Sequence, residues 1–354
     1  MWVRDLHPAS ILASRGRRSV IDHLQHTELE ISMSKFTTKR NFGYGKQMDW
    51  AGHQALLDIY GRGHFGSVAS HAQRWRRFCR WAHATRGIRD ACDIDQSVLE
   101  AYASDLAGLV QDEVMAVSYA QNLIVSANIT LEALRQDKEV RIESPAAWVG
   151  RRQTVRTTTP TGLDWAVVEA AVTRLNEKRL HRAAAIAMLC RCFGVRLREA
   201  VLANLADWLR QARKLGQIDV REGTKGGRGK EVERWGPVSE RGSAVLLDAV
   251  RVCNQLGCGQ NLLKPDETFD ALVNDGEIHR ARKFLHEFGI KGYHDLRAAR
   301  ACERYEEMSG LPAPVKQAGP SPGREVDYQV RLKLARELGH DRVDVVSAYI
   351  GARP

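Results

Sequence analysis

The chain has 354 residues, 44% hydrophobic and 27% charged, which suffices for two domains with cores of their own. Its formal net charge of +10 at pH 7 favours a polyanionic partner, because Lys and Arg neutralise phosphates and release counterions. No stretch approaches about eighteen consecutive apolar residues, which excludes a membrane span. The 7 cysteines are odd in number and include no C-x-x-C pair, so neither a disulfide framework nor a zinc site is indicated and a reducing, cytoplasmic location is expected.

The N-terminal stretch 1–45 is predicted to be an extension that precedes the first domain and need not be ordered. Residues 1–32 contain Arg15, Arg17 and Arg18 but lack an apolar h-region and a small-residue cleavage site, which argues against a secretory signal. Met33 is a second plausible start of the chain.

Residues 46–150 are predicted to form a helical domain. Apolar residues recur at helical spacing over 68–82, 98–109 and 117–134, and short connections between helices favour a compact bundle. The first helix places arginines beside tryptophans, a pattern that suits contact with a phosphate backbone, although a solvated face around core tryptophans looks the same. The candidate DNA-binding residues of this helix are Arg74, Arg76, Arg77 and Arg80.

Residues 151–163 are predicted to be a linker, because three arginines, five threonines and one proline leave no apolar period. A basic linker between two DNA-binding domains is placed to cross the duplex backbone, so Arg151 and Arg152 join the candidates for DNA binding. An ordinary exposed tether is the alternative interpretation.

A second domain is predicted over 164–354. Helices are expected from about 165 and over 181–192, and the alternating runs 217–221 and 231–235 around a glycine-rich turn predict a β-hairpin. The fold class is therefore mostly α with a small β-sheet. The later helices are predicted at 240–256, 277–288, 293–308, 328–338 and 342–350, and the Pro/Gly-rich stretch 308–327 is predicted to be a loop.

Five short motifs of the second domain contain the candidate catalytic residues. A guanidinium presents a planar fork that binds phosphate oxygens bidentately, so two arginines suit a phosphodiester whose transition state gathers charge on its non-bridging oxygens. Positions i and i+3 of a helix share a face, so His294 and Arg297 are placed to reach one phosphate. The motifs are G-V-R-L-R-E around Arg196, T-K-G-G around Lys225, H-D-L-R from His294 to Arg297, L-G-H ending at His340, and A-Y-I around Tyr349.

In this order, the motifs resemble the catalytic residues of the tyrosine recombinases, the phage-integrase family. G-x-R-x-x-E is similar to the family's first box, in which Glu199 would steady the arginine, and H-x-x-R is similar to its second box. Leu-Gly-His precedes Tyr349 by the family's interval of nine residues. The motif match covers about residues 160–350, and the basic helical stretch 46–150 is similar to the family's core-binding domain.

The resemblance implies an enzyme that cuts and rejoins DNA strands through a covalent 3′-phosphotyrosine, with no metal and no cofactor. Tyr349 would be the nucleophile, and Lys225 the general acid that protonates the 5′-oxygen leaving group, with Lys230 as a competitor on the same hairpin. The implied catalytic set is Arg196, Lys225, His294, Arg297, His340 and Tyr349, with Glu199 in support.

The implied partners are double-stranded DNA with specific recombination sites, further copies of the chain in a tetramer on paired sites, and accessory DNA-bending or directionality factors. The expected biological role is the integration or excision of a mobile element. Two alternatives stay open at this stage: a type IB topoisomerase that relaxes supercoils with nearly the same residues, and a non-catalytic DNA-binding accessory protein with the same fold.

Three departures from the family pattern accompany the match. Arg198 stands where a small residue usually precedes the acid of the first box. Arg297 and His340 are separated by 42 residues, about twice the usual interval, and the stretch 308–327 accounts for the excess. Only five residues follow Tyr349, where many integrases continue into a helix that docks on a neighbouring protomer.

Overall fold

Two separate helical units make up the described part of this computed structural model, which comprises residues 39–61, 63–340 and 342–353, and the division falls between Gln153 and Thr154. Most of the predicted N-terminal extension, residues 1–38, lies outside the described residues. Residues 40–43 form a 3-10 turn that packs on the first unit, where Asn41 accepts from the backbone N–H of Ala91 at 2.7 Å. The first unit therefore includes residues that the sequence assigned to the extension.

The first unit is a helical bundle whose core forms around a buried tryptophan. Trp75 is fully buried and donates its indole N–H to the carbonyl of Met48 at 2.9 Å. Gly52 permits this packing, because a Cβ there would lie 2.1 Å from the Trp75 indole nitrogen. The helices are α1 Met48–Tyr60, α2 Phe65–Arg86, α3 Gln96–Gln111, α4 Val117–Arg135 and α5 Pro145–Val149.

The second unit surrounds one central apolar helix. Helix α7, His181–Phe193, is buried along most of its length and packs against α10 and α12. The helices of this unit are α6 Trp165–Glu177, α7, α8 Leu197–Leu202, α9 Leu205–Leu215, α10 Glu240–Gln255, α11 Glu277–Glu287, α12 Tyr293–Ser309, α13 Arg324–Glu337 and α14 Ser347–Ile350.

A small antiparallel sheet lies between α9 and α10. Strand β1, Gln217–Asp219, pairs with β2, Trp235–Pro237, with Ile218 opposite Gly236. The hairpin prediction is confirmed, but the strands have three residues each and β2 lies later than the predicted 231–235. The connection contains a 3-10 turn, Lys225–Lys230, whose glycines disfavour a continued strand. The fold class, mostly α with a small sheet, is confirmed.

Several predicted elements differ in extent from the observed ones. The helix predicted at 342–350 is a 3-10 turn, Asp344–Val346, followed by the single turn of α14. Helix α13 begins at Arg324, so the loop within 308–327 is shorter than predicted. Helix α9 was not predicted, although Asn204 caps it by accepting from the backbone N–H of Asp207 at 3.2 Å.

The predicted linker 151–163 is divided between the units. Arg156 belongs to the second unit, where its backbone N–H donates to the carbonyl of Ser347 at 3.0 Å and its guanidinium pairs with Asp295. Beyond Thr154 the segment is thus attached to the second unit rather than free. Among the described residues, every helix is too short or too polar to span a bilayer.

Candidate active site

A buried carboxylate, Glu199, holds the candidate site together. Its Oε1 accepts from Arg196 Nη1 at 2.6 Å and lies 2.8 Å from Arg234 Nη1, and its Oε2 lies 3.7 Å from Arg297 Nη1. Burial alone would raise the pKa of Glu199, but the guanidiniums of Arg234, Arg297 and Arg196 lower it to about 2. The carboxylate is therefore ionised and compensates a cluster of like charges.

The turn between α7 and α8 sets the position of Arg196. Gly194 ends α7 in the left-handed region with φ of 62°, and a Cβ there would press on Arg300 and Leu338 at 3.3 Å. Arg196 then occupies the N-cap position of α8, where its backbone N–H donates to Glu199 Oε2 at 2.6 Å. The same carboxylate thus fixes both the backbone and the side chain of Arg196.

Arg198, the departure from the first-box pattern, does not disturb this arrangement. Its guanidinium lies 4.9 Å from the centre of the Phe269 ring, a cation–π contact on the other side of the turn. The position before Glu199 therefore tolerates a large residue in this chain.

Arg297 is fully buried on α12 and is fixed by backbone carbonyls. It donates to the carbonyl of Gly194 and, through Nη2, to that of Leu338 at 2.6 Å. Its Nε donates to the Tyr349 hydroxyl at 3.3 Å. Burial and the charge of Arg234 lower the pKa of Arg297 to about 10, so the guanidinium stays charged at neutral pH.

His340 and Tyr349 are in direct contact. The Nε2 atom of His340 lies 3.1 Å from the Tyr349 hydroxyl and 3.4 Å from the Nη2 atoms of both Arg196 and Arg297. Since a guanidinium only donates hydrogen bonds, Nε2 is the unprotonated nitrogen and accepts the hydroxyl proton of Tyr349. Burial and the charges of Arg297 and Arg196 lower the pKa of His340 to about 4, which keeps the ring neutral.

The chain around Tyr349 is fastened to its own unit. The Cys302 thiol donates to the Tyr349 carbonyl at 3.6 Å, and the Arg331 guanidinium donates to the Gly351 carbonyl at 3.2 Å. Gly351 packs on Val315 of the Pro/Gly-rich stretch, where a Cβ would lie 2.9 Å from the Val315 nitrogen. Tyr349 is only 4% exposed as a result.

His294 and Lys225 lie at the edges of this cluster. The centre of the His294 ring is 5.2 Å from that of the Tyr349 ring. His294 is exposed overall, but the protein atoms around its ring partly exclude water from it. This desolvation lowers the pKa of His294, and the positive charge of Arg297 lowers it further. Lys225 is exposed and, with Arg196, Arg234 and His340, lines a cavity of about 300 Å³.

Sequence reasoning missed Arg234, which precedes β2 and is 5% exposed. The alternation Glu231-Val232-Glu233-Arg234-Trp235 puts Arg234 in phase with an apolar residue, Val232. It does not mark Arg234 as buried, because Val232 is itself exposed and both residues precede β2.

The predicted DNA-binding arginines of α2 lie on two different faces. Arg76 and Arg80 are exposed and, with Arg40, Lys46 and Arg89, line a shallow pocket of about 320 Å³. Arg77 and Arg74 are half-buried. The guanidinium of Arg77 lies 5.6 Å from the centre of the Tyr119 ring, and that of Arg74 donates to the Ser126 hydroxyl at 3.5 Å.

The two arginines predicted to bind DNA from the linker, Arg151 and Arg152, are exposed at the end of the first unit. Within the described ranges, no group of three or more His, Cys, Asp or Glu side chains is arranged to hold a metal ion.

A comparison with protein families finds a match within the second unit and at its start. The family model described as "Integrase" matches residues 152–303, a range that includes Arg196, Lys225, His294 and Arg297. No curated protein sequence matches the chain.

Solved structures of similar architecture cover most of the chain. A lambda integrase dimer bound to a COC′ core site has 15% sequence identity and a TM-score of 0.50, over 84% of this chain and 94% of that chain. The XerA recombinase has 16% identity and a TM-score of 0.36, over 85% and 94%. The Tn1549 transposon integrase in complex with transposon right end DNA has 14% identity and a TM-score of 0.46, over 86% and 95%. At this identity the similarity to lambda integrase shows the fold alone.

Replacing Glu199 with Gln should destabilise the second unit strongly. The substitution preserves shape but leaves three guanidiniums without their buried counter-ion, and breaking a buried ion pair typically costs about 3–5 kcal/mol. Urea denaturation should show a loss of this size in the free energy of unfolding. Glu169→Gln is the control, because its pair with Arg241 is exposed and worth at most about 1 kcal/mol. Equal losses in both variants would contradict the central role of Glu199.

The stability of the protein should depend on pH through His340. Its folded-state pKa of about 4 lies below the unfolded value of about 6.5, so the unfolded chain binds this proton more readily. The contribution is complete above about pH 6.5 and is lost as the pH falls towards 4. His340→Gln should therefore lose less stability than the wild type between neutral pH and about pH 5, measured by urea midpoints. The exposed His279→Gln variant should follow the wild type.

Proposed function

We propose that the chain is an active tyrosine recombinase, which cleaves and rejoins DNA through a covalent phosphotyrosine at Tyr349. The observation that carries the proposal is the contact of one hydroxyl, that of Tyr349, with both a neutral histidine at 3.1 Å and a buried guanidinium at 3.3 Å. A free tyrosine has a pKa of about 10 and needs a base and a positive field to attack. His340 and Arg297 supply these two requirements.

In the proposed step, the Tyr349 oxygen bonds to the scissile phosphorus and the bond from phosphorus to the 5′-oxygen breaks. The hydroxyl proton passes to Nε2 of His340, and Lys225 gives a proton to the departing 5′-oxygen. Arg196 and Arg297 bind the non-bridging oxygens as their charge grows. Rejoining is the same sequence in reverse, with a 5′-hydroxyl as the attacking group and Tyr349 as the leaving group, so the reaction consumes no external energy.

His294 and Glu199 serve this step without taking part in proton transfer. Glu199 fixes the position of Arg196, and its negative charge reduces the electrostatic repulsion among the guanidiniums. His294, whose ring lies against that of Tyr349, borders the path by which a phosphate would approach the hydroxyl. We assign it a contact to the scissile phosphate or its neighbour.

The proposed substrate is double-stranded DNA with specific recombination sites, bound by a tetramer that pairs two such sites to integrate or excise a mobile element. The net charge of +10 and the exposed pair Arg76 and Arg80 support a phosphate-backbone partner. The lambda integrase structure, which shares the fold, contains a core DNA site. Accessory DNA-bending factors and a cytoplasmic location complete the proposal.

Tyr349→Phe should bind DNA with unchanged affinity and form no covalent complex, because only the attacking oxygen is removed. The measurement uses a nicked suicide substrate from the ends of the protein's own element, with denaturing electrophoresis to detect the adduct. Tyr328→Phe, at an exposed tyrosine of α13, is the matched control and should form the adduct normally. A wild-type protein that forms no adduct, or an adduct that persists in Tyr349→Phe, would contradict the proposal. Relaxation of supercoils without site preference would indicate a topoisomerase instead.

Lys225→Ala should cleave slowly on ordinary DNA and be rescued when sulfur replaces the 5′-bridging oxygen. A thiolate leaves without a proton, so the general acid becomes dispensable while Tyr349 and the arginines stay necessary. General acid catalysis typically contributes about 10²–10⁴-fold, and the rescue should recover most of that factor. Lys230→Ala tests the competitor on the same connection. Rescue of Lys230→Ala alone would transfer the role to that residue.

A further inference from the structure

Arg234 is a third guanidinium of the candidate site, buried like that of Arg297, and lies outside all five sequence motifs. Its backbone N–H donates to Asp219 Oδ1 at 2.8 Å, and its Nε donates to the Glu337 carbonyl at 2.8 Å. Its Nη1 lies 2.8 Å from Glu199 Oε1, but without the alignment of a hydrogen bond. The side chain thus connects the hairpin, the Glu199 carboxylate and the end of α13.

The terminal nitrogens of Arg234 are buried: Nη2 has no hydrogen-bond acceptor among the described residues, and Nη1 has only the poorly aligned ion pair with Glu199. A buried charged donor without an acceptor is unfavourable, so a ligand oxygen at this position would be bound strongly. Arg234 also lines the 300 Å³ cavity together with Arg196, Lys225 and His340. Arg234 thus has an incompletely hydrogen-bonded guanidinium at the wall of the cavity that Arg196 and Lys225 also line.

The charge balance of the cluster calls for an anion. Arg196, Arg234 and Arg297 supply three positive charges, and Glu199 supplies one negative charge. His340 is neutral, so two positive charges remain. A phosphodiester carries one negative charge, and the pentacoordinate state formed when an oxyanion attacks it carries two. Lys225 and the proton that passes to His340 add further positive charge during the reaction, so the site suits an anion whose negative charge grows.

We propose that Arg234 is a further catalytic residue that donates to a non-bridging oxygen of the scissile phosphate as the pentacoordinate state forms. This inference rests on the proposed function. Its binding partner is a phosphate oxygen, which accepts the hydrogen bond that Nη2 lacks. No covalent bond to Arg234 forms or breaks, and no proton leaves it.

A positioning role is the competing explanation. Gly339 lies in the left-handed region with φ of 68°, and a Cβ there would approach Arg234 Cδ at 3.0 Å, so Arg234 packs directly on the turn that presents His340. Removal of Arg234 could then impair cleavage by displacing His340 alone. The experiment must separate loss of a charge contact from loss of this packing.

The test compares cleavage of suicide DNA carrying either the normal scissile phosphate or a methylphosphonate, which lacks the non-bridging negative charge. On the phosphate, Arg234→Ala should cleave about 10²–10³-fold more slowly than the wild type, as is typical when one such donor is lost. On the methylphosphonate, the difference between wild type and variant should shrink to less than about tenfold. Arg234→Lys should lie between the two, because it retains the charge without the fork.

Two controls keep the result interpretable. Arg213→Ala removes an exposed arginine of α9 in the same unit and should cleave both substrates as the wild type does. Titration with inorganic phosphate, followed through the ring resonances of His340, needs no cleavage. Arg234→Ala should bind phosphate at least about tenfold more weakly than wild type or Arg213→Ala. Urea midpoints of each variant report whether the fold is intact.

An equal slowing of Arg234→Ala on both substrates, or an unchanged response to inorganic phosphate, would overturn the inference and leave Arg234 as a positioning residue. Failure of the proposed function looks different: the wild type would then form no adduct at Tyr349, while phosphate binding would still depend on Arg234.

Discussion

The interaction on which the site depends is the contact of Glu199 with three guanidiniums. Arg196, Arg234 and Arg297 come from the start of α8, the end of the hairpin connection and α12, and each would repel the others in a low-dielectric interior. One ionised carboxylate, with its pKa lowered to about 2, makes their close approach possible. It does not neutralise them. The carboxylate therefore sets the geometry of the cluster and leaves an excess of positive charge, which is the property that an anionic substrate would use.

The excess of positive charge also influences the protonation of His340 and its contact with Tyr349. Because Arg297 and Arg196 lie within 3.4 Å of His340 Nε2, the ring stays neutral and its lone pair faces the Tyr349 hydroxyl. The tyrosine stays in this place because Arg331 and Cys302 hold the carbonyls beside it, within the same unit. The proposed nucleophile and base are therefore in contact in the free protein, which would reduce the reorganisation required at the moment of reaction.

The sequence was most informative where function restricts residue type. The order and spacing of the five motifs identified Arg196, Glu199, Arg297, His340 and Tyr349, and the structure brings these five side chains into one cluster. Elements set by packing were less accessible: α9 was missed because Leu205, Trp208 and Ala212 are its only fully buried residues, a narrow apolar stripe on a charged helix. Arg234 was missed because no single-residue pattern separates an inward arginine from the 53 Lys and Arg of the chain. Its role follows only from the position of Glu199, which lies 35 residues earlier and meets it through the fold.

The same electrostatic arrangement links substrate binding to base strength. In the free protein, burial and the charges of Arg297 and Arg196 lower the pKa of His340 to about 4, which makes it a weak base. A phosphate in the cavity would bring negative charge against those guanidiniums and offset their effect, so the pKa of His340 should rise as DNA binds. The base would then gain strength only when a phosphodiester occupies the site. In the proposed reaction, the excess positive charge that Glu199 leaves uncompensated would serve two purposes: it would attract the scissile phosphate, and it would restrain proton transfer from Tyr349 until that phosphate arrives.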